Sequence, residues 1–168
     1  MWEHRGRKRP EFAVEPGPQQ ESVWDYPRPP ALVPCDKRVV VTHGGVVVAD
    51  SVNAVRVLET ASPPSIYVPP VDVDFAQLID APGSSFCEWK GHANYYSLAD
   101  GGPVVGWEYG DPTQDFLAIG HFLSFYPGRV DCTMDGERVK AQAGDFYGGW
   151  ITEDIVGPFK GDPGTGHW

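Results

Sequence analysis

Glycine and proline supply 20 and 17 of the 168 residues and are spread along the whole chain. Punctuation this frequent leaves no room for long helices and favours short strands joined by tight turns. There is no Gly-X-Y period, so a collagen-like assembly is excluded. The clearest hairpin places Arg38-Val39-Val40-Val41-Thr42 and Val46-Val47-Val48-Ala49-Asp50 on either side of His43-Gly44-Gly45, whose glycines supply positive φ. A second hairpin turns on Asp135-Gly136. Further β-rich runs occupy Ala54–Glu59, Ser65–Val68, Ser85–Trp89, Ala93–Leu98, Val104–Tyr109, Phe116–Tyr126 and Arg129–Met134. One helix is expected over Val71–Ile79, where Phe75, Leu78 and Ile79 fall at helical spacing, with Asp80-Ala81-Pro82-Gly83 ending it. The pattern predicts a mainly β fold: one compact domain of short antiparallel strands with one short helix.

Residues 1–21 join the basic run His4-Arg5-Gly6-Arg7-Lys8-Arg9 to Pro16-Gly17-Pro18-Gln19-Gln20-Glu21 and hold few apolar side chains, which predicts a flexible arm. Residues 22–168 form the domain. It begins with Ser22-Val23-Trp24-Asp25-Tyr26-Pro27, read as an extended strap across the surface. The net charge of −10 argues against a nucleic-acid partner, because phosphate binding relies on a basic field. No run of about 18 apolar residues is present to cross a membrane, and no apolar signal core follows the N-terminal positive charge. Cys35, Cys87 and Cys132 are an odd, scattered set without a CxxC pair, which points away from a disulfide framework and towards a reducing cytoplasm. The expected state is a monomer or homodimer.

Two Gly/aromatic segments carry the candidate chemistry. In Ser85-Phe86-Cys87-Glu88-Trp89-Lys90-Gly91-His92, a strand would put Cys87, Trp89 and Gly91 on one face. Lys90 or His92 would activate the Cys87 thiol if the strand bends near Gly91. The plainer alternative makes Cys87 a buried hydrophobe and Lys90 a surface or ion-paired residue. In Gly144-Asp145-Phe146-Tyr147-Gly148-Gly149-Trp150, the paired glycines permit close backbone approach, while Tyr147 and Trp150 offer flat faces with polar edges. The alternative there is a bulge with aromatics filling the core. Trp107 and Tyr109 share a strand face, and Arg129 and Asp131 are placed to pair. Arg56 interrupts an apolar strand, which makes it a candidate for an acidic ligand group or an edge residue. Trp89-Lys90-Gly91 and Phe159-Lys160-Gly161 repeat one form, aromatic-Lys-Gly. The histidines show no HxxxH or HxH spacing, and no GxxxxGK[ST] or GxGxxG loop occurs, so neither a metal nor a cofactor is expected.

Several of these segments resemble domain-of-unknown-function family 427: Ser22–Pro30, Arg56-Val57-Leu58-Glu59-Thr60, Ser85–Gly91, Phe125-Tyr126-Pro127-Gly128-Arg129-Val130, Phe146–Thr152 and Ile155–Gly161, in the family's order from about Glu21 to Trp168. The resemblance implies a β-tent (Mss4-like) fold, the group that includes methionine sulfoxide reductase B. Many of that group bind zinc through paired CxxC motifs, which this chain lacks. A nucleotidyltransferase-like label attaches to the family, yet no acidic pair follows a Gly-Ser motif here. The resemblance implies no established activity.

The functional expectation is a small-molecule pocket lined by Lys90, Trp89, Trp107, Gly148, Gly149 and Trp150, with Arg56, Tyr109 and Tyr147 as further ligand contacts. If the protein is an enzyme, Lys90 is its electrostatic or acid–base group and Cys87 its candidate nucleophile. The other two readings are a binding module without turnover and a structural or interaction module whose aromatics form only core.

Overall fold

The computed structural model describes residues 2–168. Its strands, in chain order, are β1 (Glu21–Ser22), β2 (Ala31–Pro34), β3 (Val39–His43), β4 (Val46–Ser51), β5 (Val55–Leu58), β6 (Ser65–Val68), β7 (Leu78–Cys87), β8 (Gly91–Leu98), β9 (Val104–Glu108), β10 (Leu123–Phe125), β11 (Asp131–Met134), β12 (Glu137–Arg138), β13 (Lys140–Ala141), β14 (Trp150–Ile151) and β15 (Ile155–Val156). A seven-stranded antiparallel sheet runs β2-β5-β6-β10-β9-β8-β7, and a four-stranded one runs β12-β11-β3-β4. Two short pairs complete the fold, β13 with β14 and, in parallel, β1 with β15. The protein is mainly β.

The predicted hairpins form where the glycines allow them. Gly44 and Gly45 turn β3 into β4, and Asp135-Gly136, both at positive φ, turn β11 into β12. Two expectations need correction. Residues 71–79 are not a continuous helix: short 3-10 turns occupy Pro70–Asp72 and Phe75–Gln77, and Leu78 and Ile79 already belong to β7. Pro82-Gly83 marks a register slip inside β7 rather than a helix stop, and β7 is a sheet edge, where proline's missing N–H is tolerated. Likewise residues 116–126 are not one strand, because a 3-10 turn covers Gln114–Ile119 and only Leu123–Phe125 pair.

The main core lies between the two large sheets. Val39, Val41, Val48, Cys132 and Met134 from one meet Ile66, Val68, Leu98, Leu123 and Phe125 from the other, with Trp150 joining them. Strand alternation sends every second residue to the opposite face of the seven-stranded sheet. Thus Ile66 and Val68 face the core, while Tyr67 faces outward into a second cluster with Val57, Ala93, Trp107, Tyr109, Phe116 and Tyr126. A register slip where β8 meets β9 places Val105 in the first cluster and Trp107 in the second. That outer aromatic face is the floor of the site described below.

The chain ends differ most from expectation. Trp24 and Tyr26 are not a surface strap: Val23–Asp25 form a 3-10 turn, and both aromatics are buried with Leu58 and Ala61 in a third cluster. Trp24 Nε1 donates to the Pro158 carbonyl at 3.1 Å. The segment before them, expected to be a flexible arm, has no buried residue among those described but makes several defined contacts. Arg9 pairs with Asp25 and Glu15, Phe12 stacks on Trp168 at 5.1 Å, and the Val14 N–H donates to Gly157. Its contact-making groups, Trp2, Phe12 and Arg9, are few, and each meets a partner elsewhere in the chain.

Candidate functional site

The outer face of the seven-stranded sheet carries a cavity of about 450 Å³. Its floor is the aromatic cluster. Tyr67 is fully enclosed, and its hydroxyl accepts a 3.1 Å hydrogen bond from Trp107 Nε1, fixing the indole edge. Trp107 leans on Tyr126 with ring centroids 4.7 Å apart, a tilted pairing, and Tyr109 lies 6.3 Å from Tyr67. Burial raises the Tyr67 and Tyr109 phenols well above the ordinary tyrosine value, so both are neutral donors at physiological pH.

Glu88, Trp89 and Lys90 form the turn that joins β7 to β8, with Cys87 paired to Gly91 across it. They are therefore not strand residues as the alternation implied. The turn is held from outside: Thr113 Oγ1 donates to the Trp89 carbonyl and the Thr113 N–H to that of Lys90, at 2.5 and 3.1 Å. Gly91, at φ +102°, lets the chain reverse directly after Lys90. The Lys90 side chain is left 8% exposed on the cavity wall, its ammonium 5.7 Å from the Tyr109 ring centroid.

A second lysine shares the cavity. Lys160 is 4% exposed, its ammonium 4.0 Å from the Trp2 ring and 5.9 Å from that of Tyr147. Its backbone is pinned, the N–H donating to Ala61 and the carbonyl accepting from Gln142 Nε2. Gly161 repeats the device of Gly91: at φ +138° it reverses the chain where a Cβ would lie 2.2 Å from the Ala143 carbonyl oxygen. Burial lowers the proton affinity of Lys160, and the Arg28 guanidinium acts in the same direction, while Glu59 and Glu88 oppose. Among the described residues neither lysine ammonium makes a hydrogen bond or an ion pair. The Trp2 indole closes one side, with Arg28 and Lys160 both over its ring and its Nε1 donating to Glu88 at 2.8 Å.

The remaining predicted residues divide sharply. Trp89, Trp107, Tyr109, Tyr147, Gly148 and the half-buried Cys87 line the cavity with Lys90. Gly148 packs its backbone against the Trp107 ring, and Gly149 packs on Pro63 and donates its N–H to Gln142 Oε1. Trp150 does not belong here: strand alternation turns it into the inter-sheet core, where Nε1 donates to the Phe125 carbonyl at 2.9 Å. Gly149 is likewise outside the lining. Arg56 is remote and already paired, with Glu21 at 2.5 Å and the Tyr26 hydroxyl at 3.3 Å. Arg129 does not pair with Asp131; it donates to the Val104 and Asp145 carbonyls, and Asp131 pairs with Arg138. Sequence reasoning missed Trp2, Tyr67 and Lys160 as site residues, although the aromatic-Lys-Gly repeat was the visible sign of Lys160. Among the described residues no group of three or more His, Cys, Asp or Glu side chains is arranged to hold a metal ion.

A family model described as a domain of unknown function (DUF427) matches residues 31–136. The chain belongs to the DUF427 family. The match is shorter than the resemblance read from the motifs, running from β2 to the turn between β11 and β12. It therefore takes in the DUF427 sheet floor and the Cys87–Lys90 wall, whereas Trp2, Tyr147, Gly148 and Lys160 join the cavity from segments beyond it. No curated protein matches this DUF427 chain.

Proposed function

We propose that the cavity binds a small organic anion with a flat apolar body, its acid group received by Lys90 and Lys160 and its body by the aromatic floor. The observation that carries this is a pair of lysines lining one cavity, each largely covered and, among the described residues, with an ammonium that makes no hydrogen bond or ion pair, in a chain whose net charge is −10. A charge partly withdrawn from water gains from a close counter-charge, which a bound carboxylate would supply. Glu59 and Glu88 also line the cavity and act on Lys160 at longer range, yet neither forms an ion pair with either lysine. Tyrosine and tryptophan walls suit a planar ligand that stacks, and a cavity of this size suits a small molecule. Three free thiols are consistent with a reducing, cytoplasmic setting.

A direct test uses 2-naphthoate as probe, with isothermal titration of the wild type, Lys90→Met and Lys160→Met. The wild type should bind it better than the neutral amide, and each variant should lose about tenfold in affinity, about 1.4 kcal/mol. Equal affinity for acid and amide, unchanged in both variants, would remove the basis of this reading.

A further inference from the structure

The geometry points to Lys160 as an imine-forming nucleophile for aldehydes or ketones that also carry an acid group, with Lys90 holding the acid. This rests on the anion-binding reading of the same cavity and adds a reactive group to it.

The five lysines of the chain occupy distinct environments. Lys8 and Lys140 are exposed, and Lys37 is committed to Asp154 at 2.8 Å. Lys90 and Lys160 face the cavity. Lys160 differs from Lys90 in its neighbours, since the Arg28 guanidinium lies over the same Trp2 ring, 4.2 Å from its centre. The loss of water and then the nearby Arg28 favour the neutral amine, the form that attacks a carbonyl carbon, and outweigh the opposing Glu59 and Glu88. The two hydrogen bonds to its backbone and the reversal at Gly161 hold the base of the side chain still while its end reaches the cavity. The lowered proton affinity of this amine accords with that arrangement.

The step balances without a further reactant. The unprotonated Nζ adds to the carbonyl carbon and gives a carbinolamine. That intermediate expels the former carbonyl oxygen as water, which carries away both amine hydrogens, and a C=N bond remains. A carbonyl compound with its acid group seated on Lys90 would present its carbonyl carbon towards the other cavity lysine. The ring floor would take up the body between the two groups.

The test uses 4-formylbenzoate with borohydride, which reduces the imine to a stable secondary amine, followed by peptide mapping of the full chain by mass spectrometry. Lys160 should be modified about tenfold faster than Lys8 and Lys140. Added 2-naphthoate should suppress modification at Lys160 alone. Lys160→Arg, which keeps the charge, should abolish that adduct. Lys90→Met should slow it for 4-formylbenzoate and not for the uncharged 4-formylbenzamide. Modification spread evenly over the exposed lysines would overturn the proposal, and this outcome is read in the wild type without depending on any variant folding. If 2-naphthoate binds but Lys160 is not trapped, the imine fails and anion binding stands. If Lys160 is trapped while naphthoate neither binds nor competes, the anion-binding reading fails instead.

Discussion

Gly148→Ala tests the cavity wall at its tightest point. A Cβ on Gly148 would lie 2.2 Å from Cη2 and 2.6 Å from Cζ3 of Trp107, and 3.3 Å from Cδ1 of Tyr126. Carbon atoms rest about 3.5–4.0 Å apart, so the new methyl must displace the indole or the Gly148 backbone by more than about 1 Å. Trp107 has little freedom, since Tyr126 leans on its face and Nε1 is bonded to Tyr67. Overpacking of this kind costs about 1–3 kcal/mol, and losing the buried hydrogen bond adds about 1 kcal/mol. Near the middle of that range, about 3 kcal/mol, the melting temperature of a chain this size falls by about 6–12 °C. Gly148 is outside the left-handed region, so the effect is steric and not conformational. Gly166→Ala is the matched control, because its Cβ would meet nothing within 4 Å and its φ is also permissive. Thermal unfolding followed by circular dichroism, with tryptophan fluorescence, gives the readout. A Gly148→Ala protein melting within about 1 °C of both wild type and control would refute the close approach, given the cost worked out above.

Acid should loosen the junction of β1 and β15. Burial opposes ionisation of Glu21 most strongly of any one cause, but the hydrogen bonds and charge of Arg56, together with the Tyr26 hydroxyl, outweigh it. Lys37 with Thr152 does so for Asp154, and both carboxylates therefore titrate below their ordinary range. Their stabilisation is full above about pH 4, the ordinary carboxylate value, and is lost as pH falls through their depressed values. Melting temperature measured against pH should therefore drop in that window, and Glu21→Gln should flatten the drop; an unaltered slope would count against it. Arg28→Ala should cost about 3–5 kcal/mol in urea unfolding, because its fully covered guanidinium serves Glu59 and the His4 and Thr60 carbonyls; a change under about 1 kcal/mol would contradict that. Iodoacetamide should alkylate Cys87 ahead of Cys35 and Cys132 in the native protein, since both of those are buried and burial, with Asp131 adding, raises the Cys132 thiol to about 12. Bound 2-naphthoate should slow the Cys87 reaction, and equal labelling of all three thiols would be the contrary result.

Turn chemistry and alternation were legible in the sequence, and so was most of one cavity wall. Gly44-Gly45 and Asp135-Gly136 announce their hairpins because few other residues tolerate positive φ there. The 71–79 segment was misread because three apolar residues at helical spacing also suit a 3-10 turn running into an edge strand, and only the pairing of Leu78 and Ile79 with Ser97 and Leu98 decides between them. Trp150 was misplaced for a related reason. An aromatic beside two glycines fits a ligand wall or an inter-sheet core equally, and which face β14 shows is set by its pairing with β13. Trp2 and Tyr67 carried no local signal, since the cavity gathers them from places far apart in the chain.

That gathering has a consequence for how the protein opens and closes. Lys90 rides on a hairpin whose two strands are neighbours in sequence, so its half of the cavity can assemble from local contacts. Lys160 sits in a C-terminal stretch that follows β15, whose pairing with β1 spans most of the chain and so closes a long loop. The same stretch is where transient local unfolding would start. A molecule touching both ammoniums would act as a clasp between a locally paired hairpin and a segment held by distant contacts, protecting the amides of residues 155–168 from hydrogen exchange more than those of the hairpin.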